Sequence, residues 1–145
     1  MTTLCRLSAF VGLLASSLYA ADPAGFMLWK SQDLKSATKP EPAVDFGNHN
    51  TRINVRDKDG VVEVHQNWTD VFVVQAGEAT LAIGGTLADQ KTAGPGEIRG
   101  KSIKGGEKKV LGPGDIVHIP AGVPHQFLVA PGKKIVYFAL KVPAK

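Results

Sequence analysis

The chain has 145 residues, with 17 basic against 13 acidic side chains and a formal net charge of +4. That length accommodates one domain, with a core large enough to fold without metal or disulfide staples, and the single cysteine, Cys5, excludes a disulfide framework. The basic residues are scattered except over 99–109 and at Lys133 and Lys134, and no aromatic residues interleave with that cluster, which argues against nucleic acid as a partner.

Residues 1–20 read as a secretory signal. Arg6 supplies the positive front, 7–18 is an apolar run broken only by small residues, and Ala20 offers a cleavage position before Ala21, with a cut after Ser17 as the alternative. A run this short does not span a bilayer, so the expected destination is the periplasm or the exterior, with no membrane attachment after cleavage. Cleavage removes Arg6, which lowers the formal charge to +3, and also Cys5, so the mature chain carries no thiol.

Residues 21–50 have a weak pattern, with a short apolar patch at 26–29 and a proline-punctuated polar stretch at 35–42. They read as an extended arm packed on the outside of a domain formed by 51–145. From Thr51 the period becomes two. Residues 51–56 and 61–66 flank the turn 57–60 as a hairpin, and 70–75 and 79–83 flank a second turn at 76–78. Residues 86–96 contain glycine, proline and polar residues without a period and read as a loop. A third, exposed hairpin is expected from 97–103 and 108–111, and 126–130 and 134–142 close the domain. No segment sustains a helical period, and many short strands at regular spacing predict an all-β barrel or sandwich.

On the strand 61–66, Val61, Glu63 and His65 share one face, while Val62 and Val64 share the other. On the last strand, Val136, Phe138 and Leu140 alternate with Ile135, Tyr137 and Ala139. Strands apolar on both faces need cover on both. One face is the barrel interior, and the other calls for the N-terminal arm or a second subunit, from which a homodimer is expected.

The most informative stretch is 112–127. Pro113, Gly114 and Asp115 make a turn, 116–119 is apolar and β-branched apart from His118, and Pro120, Ala121 and Gly122 force a second reversal before His125. The order Gly114, five residues, Pro120, one residue, Gly122, two residues, His125 resembles the second signature motif of the cupin superfamily. That family's first motif runs glycine, five residues, His-x-His, three or four residues, glutamate, six residues, glycine. Here His65, four residues, Asp70, six residues, Gly77 is similar to its second half, with aspartate for glutamate. Glu63 stands at the first histidine, Asp57 at the opening glycine, and Val129 at the asparagine that closes the second motif.

The resemblance covers roughly residues 50–142. It implies a double-stranded β-helix (jelly-roll) barrel whose interior gathers Glu63, His65, Asp70 and His125, with Phe72, Val74, Phe127 and Val129 as the apolar wall. It also implies metal ligation by His65, His125, Glu63 and Asp70, with Glu63 as ligand or catalytic general base. Two imidazoles and one or two carboxylates suit Fe, Mn, Zn, Ni or Cu. The implied activities act on a small oxygenated organic molecule: dioxygenase, isomerase or lyase chemistry. A non-catalytic binding or sensor module, or a structural dimer with a vestigial site, stands beside them, because one fold of this kind hosts many functions. His118 reads as a packing histidine, His49 as a loop residue and Asn67 as a turn brace. Trp68 reads as a core cap or a binding-site wall, and Arg99 as part of a solvated strand face or a contact for an anionic ligand.

Overall fold

A computed structural model of the chain describes residues 22–145; the expected signal segment lies outside the described residues. Thirteen strands and one short helix follow in the order α1 (Ser31–Ser36), β1 (Val44–Asp45), β2 (Asn50–Arg56), β3 (Val62–His65), β4 (Trp68–Gly77), β5 (Ala79–Ile83), β6 (Thr86–Ala88), β7 (Lys91–Gly94), β8 (Glu97–Gly100), β9 (Ser102–Lys104), β10 (Glu107–Leu111), β11 (Ile116–Ile119), β12 (His125–Leu128) and β13 (Ile135–Pro143). A five-stranded sheet has the order β1-β2-β13-β4-β11, and a six-stranded sheet the order β10-β5-β12-β3-β8-β7, with β6 and β9 as a separate pair.

The antiparallel pairs nest. β2 pairs with β13, β3 with β12, β4 with β11, β5 with β10, β6 with β9 and β7 with β8. The chain is therefore one long antiparallel ribbon, rolled so that β4 also meets β13 and β5 also meets β12. This is the double-stranded β-helix, as the two motifs imply.

The three hairpins expected from the turn residues do not form. β2 and β3, and β4 and β5, lie in the two facing sheets, so those two turns carry the chain across the barrel, and β9 pairs with β6 in a separate ribbon rather than with β10. At the first crossing the backbone N–H of Gly60 donates to the Phe127 carbonyl at 2.8 Å, and the Asp59 carboxylate accepts from the Val129 N–H at 2.8 Å. The turn groups are used by β12 and the residues after it instead of closing a local hairpin. At the second, Gly77 has φ of +73°, and a Cβ there would meet the Lys134 carbonyl oxygen at 1.9 Å, so only glycine lets the chain leave β4 beside the start of β13.

The expected loop at 86–96 holds two short strands, β6 and β7. β6 lies close over β8: a Cβ on Gly100 would stand 3.0 Å from the Ala88 carbonyl oxygen and 3.2 Å from Leu87 Cβ. A glycine inside β8 is what permits that approach. The same fold-over places Leu87 near Val64 and Ile98, on the outer side of the six-stranded sheet.

The main core lies between the sheets. Phe72, Val74, Leu81, Ile119, Phe127, Val129, Ile135 and Tyr137 are buried together, so the expected wall of Phe72, Val74, Phe127 and Val129 forms. A second cluster sits outside the five-stranded sheet, where Leu34 of α1 packs on Ile53 and Val136, with Trp29 and Phe138 against it. The arm is thus partly helical, and it covers the outer apolar face of β2 and β13. Trp29 packs tilted against Phe138, with 5.4 Å between ring centroids, and donates from Nε1 to the Glu41 carboxylate at 3.0 Å. The face that motivated a second subunit is covered within the chain. No helix among the described residues is long and apolar enough to cross a membrane.

Candidate metal centre

The four residues implied as ligands arrive as cross-strand neighbours from facing sheets. In the six-stranded sheet His125 on β12 is directly opposite Glu63 on β3, and His65 lies two residues further along the same face. In the five-stranded sheet Asp70 on β4 is directly opposite Lys141 on β13. The turn before β12 is tied to β3, because the Gly122 N–H donates to the His65 carbonyl at 2.8 Å. The Pro120 and Gly122 turn therefore sets where His125 stands relative to His65.

The donor atoms converge. Glu63, His65 and His125 each offer one ligand atom, and those atoms lie within 4.8 Å of one another. His125 Nε2 is 3.6 Å from Glu63 Oε1 and 3.9 Å from Asp70 Oδ2, and His65 Nε2 is 3.9 and 3.7 Å from the same two oxygens. Donors held at roughly 2.0–2.2 Å from a common ion stand about 3–4 Å apart, so this set could hold a divalent transition metal.

Two further observations support the fit. His125 is 2% exposed, and its Nδ1 lies 3.1 Å from the Val123 carbonyl. A carbonyl can only accept, so Nδ1 carries a proton, and in the neutral form of the ring this leaves the Nε2 lone pair turned to the interior, the tautomer that a metal ligand needs. Asp70 is 1% exposed, yet neither carboxylate oxygen has a hydrogen bond. A buried, unsatisfied carboxylate is costly and calls for a cation.

One cation is already there. Lys141 Nζ lies 3.1 Å from Asp70 Oδ1, an ion pair outside hydrogen-bonding geometry, and donates to His65 Nε2 at 2.6 Å. Burial first, and then the Lys141 charge, push the His65 imidazole below its ordinary value of 6.5. Burial pushes the Glu63 carboxyl up, but the nearby His125, His65 and Lys141 outweigh it and hold Glu63 below 4.5. The cluster favours an ionised Glu63 and a neutral His65.

A cavity of about 270 Å³ opens beside these groups. Glu63 and His65 form one wall, and Arg52, Arg99, Tyr137 and Lys141 are among the other lining residues. Arg56 donates from Nε to the Tyr137 hydroxyl at 2.8 Å and lies over the Phe127 ring at 5.6 Å, which makes it a brace for the cavity floor. Burial pushes the Tyr137 phenol up, and the adjacent Arg56 only partly offsets this.

The other candidates are placed as follows. His118 is exposed on β11, so the expectation of a packed histidine is corrected: Ile119 faces the core at 1% exposure, and the alternation turns His118 to solvent. His49 stacks on Phe46 in the arm connection. Asn67 lies between β3 and β4, and its backbone carbonyl accepts from the Ala144 N–H at 2.9 Å. Trp68 begins β4 and does not line the cavity, whereas Arg99 does. Lys141, Arg52 and Tyr137 were not anticipated. The period of two on β13, which puts Tyr137, Ala139 and Lys141 on one face, was the available signal for two of them.

No protein-family model matches the chain, and no curated protein matches it in sequence. Solved structures do match in fold. BH2720 from Bacillus halodurans is similar with a TM-score of 0.63 at 14% identity, over 85% of this chain and 84% of that one. A conserved Klebsiella pneumoniae protein with a double-stranded β-helix domain matches with a TM-score of 0.55 at 16% identity, over 80% and 89%. NMB1881 from Neisseria meningitidis gives 0.54 at 12% identity, over 80% and 99%. The chain has the double-stranded β-helix fold of the cupins. At these identities the likeness is one of fold alone.

Proposed function

We propose that this chain is an exported cupin metalloprotein that holds one divalent transition metal through His65, His125, Glu63 and Asp70 and acts on a small oxygenated organic molecule in the adjoining cavity. The observation that carries the reading is the convergence of two imidazoles and a carboxylate from one sheet on a buried, unsatisfied Asp70 of the other. A bound metal would supply Lewis acidity or oxygen activation. This chain's residues would contribute the ligand set, a protonated His125 Nδ1 anchored on Val123, and an ionised Glu63 able to serve as ligand or proton acceptor.

A second reading, a metal-free ligand-binding module, is favoured by the Lys141 contact, since that ammonium already neutralises Asp70 and occupies the His65 lone pair. A homodimer is part of the proposal. Its apolar surface would be the exposed Phe26, Met27 and Leu28 rather than β3 or β13.

Elemental analysis of protein purified from its native compartment, without chelator or metal-affinity tag, tests the main reading. The expected result is close to one metal per chain, lost in His125→Ala while the β-sheet circular dichroism is kept. Metal well below one equivalent, with no rise in Tm on adding Mn, Fe, Zn, Ni or Cu, would select the metal-free module instead.

A further inference from the structure

We infer that the cavity beside the candidate metal centre is built for an organic anion, a carboxylate of two to six carbons, with Arg52 and Arg99 as its recognition residues. This deepens the reading of the cavity as a ligand site and rests on it.

The inner face of β2 is polar at four successive alternate positions, Asn50, Arg52, Asn54 and Arg56, all of which line the cavity. The outer face of the same strand, carrying Ile53, is apolar and packed under the arm. Asn50, Asn54 and Arg56 are half-buried there, while Arg52, like Arg99 on the facing sheet, is exposed at the cavity mouth, where an incoming ligand would meet it. Four cationic side chains line the cavity, Arg52, Arg56, Arg99 and Lys141, against two acidic ones, Glu63 and Glu97. Glu97 is taken by Arg99 at 2.7 Å, and Glu63 sits against the two histidines. Neither Arg52 nor Arg56 has an acidic side chain at ion-pairing distance among the described residues. The cavity therefore carries positive charge that its own walls do not neutralise.

The register places that charge usefully. Asn50, Lys141 and Asp70 form one cross-strand row, and Arg52, Ala139 and Phe72 form the next, about 7 Å along the strands. Ala139 between two large neighbours leaves the open space in front of Arg52. On the facing sheet, Arg99 of β8 is directly opposite Glu63. A carboxylate in the cavity would meet a guanidinium from each sheet, and the rest of a short molecule would reach toward Glu63 and His65. Arg52 uses Nε on the Glu41 carbonyl at 3.1 Å and Arg99 uses Nε on Glu97, which leaves the terminal nitrogens of both for the paired hydrogen bonds a carboxylate accepts.

The experiment is calorimetric titration and thermal shift with carboxylates of two to six carbons, malonate and succinate among them, and with the corresponding neutral amides. It uses the full-length mature protein as purified and the same protein after EDTA treatment, alongside Arg52→Gln and Arg99→Gln. The expected result is that at least one carboxylate binds and its amide does not. Each substitution should weaken binding by about tenfold or more while metal content stays unchanged. Carboxylate binding that persists after EDTA treatment and is lost in the arginine variants supports the anion site even if the metal reading fails. Carboxylate binding that vanishes with EDTA but is unchanged in both variants would show the metal alone to be the anchor and would overturn the inference, as would amides binding as well as their acids or no carboxylate binding at all.

Discussion

Lys141 donates to His65 Nε2 at 2.6 Å, and so uses the one lone pair through which His65 could ligate a metal. The same ammonium is the counter-charge of the buried Asp70. Metal at His65 and Lys141 in its present place are mutually exclusive, so the lysine must swing out of the cluster when metal enters. Its 28% side-chain exposure toward the cavity gives it somewhere to go. Replacing Lys141 with Met is expected to raise metal affinity about tenfold or more, because a competing positive charge is removed. The metal-free variant should melt below the metal-free wild type, since Asp70 is left buried without a partner. Titration with Mn or Zn followed by thermal shift checks both, and equal affinities for variant and wild type would reject the competition.

Glu63→Gln separates the two roles open to that carboxylate. As a ligand its loss should cost at least what loss of an outer-shell partner costs, on the order of tenfold or more in metal affinity. As a proton acceptor alone, metal would be retained and turnover lost. Its place directly across from His125, with Oε1 3.6 Å from Nε2, favours the ligand, and metal content of the purified variant is the measurement.

The stability of the metal-free protein should fall with acid in two steps. His65 is held below 6.5 in the fold, so under that value the unfolded chain binds the extra proton first, and stability declines as pH drops from 6.5 through the folded value. Glu63 is held below 4.5, and its contribution, present above that pH, is lost as pH falls through its own folded value. Denaturant unfolding across pH should show the upper step vanish in His65→Gln and the lower step shrink in Glu63→Gln. A single step unchanged by either substitution would contradict this assignment. Because His65 stays neutral below 6.5, its part in metal binding should also survive to lower pH than an ordinary histidine would allow.

The arm is expected to be structural. Leu34→Ala removes the α1 side chain buried on Ile53 and Val136 and should cost about 2–3 kcal/mol. Metal content should stay unchanged, because Leu34 touches only the outer side of the five-stranded sheet. Deleting residues 22–43 should expose that surface and cause aggregation, read by light scattering.

Much of this protein could be read along the chain. The period of two correctly turned Glu63 and His65 one way and Val62 and Val64 the other, and the turns around Gly114 and Gly122 marked the strand that precedes His125. These are local properties, set by side-chain alternation and by backbone angles that glycine and proline control. Which strands pair was not local. The turn at 57–60 is compatible with a hairpin or with a crossing between sheets, and the choice fell to Gly60 and Asp59, which bond to residues nearly seventy positions away. Period two also says which face a residue takes without saying what stands opposite. That Lys141 meets Asp70 and His65, and that Arg52 and Arg99 look into one cavity from facing sheets, follows from the nested register of the rolled ribbon. Only the tertiary structure decided it, because contacts made across the chain's full length leave no mark in any short window of sequence.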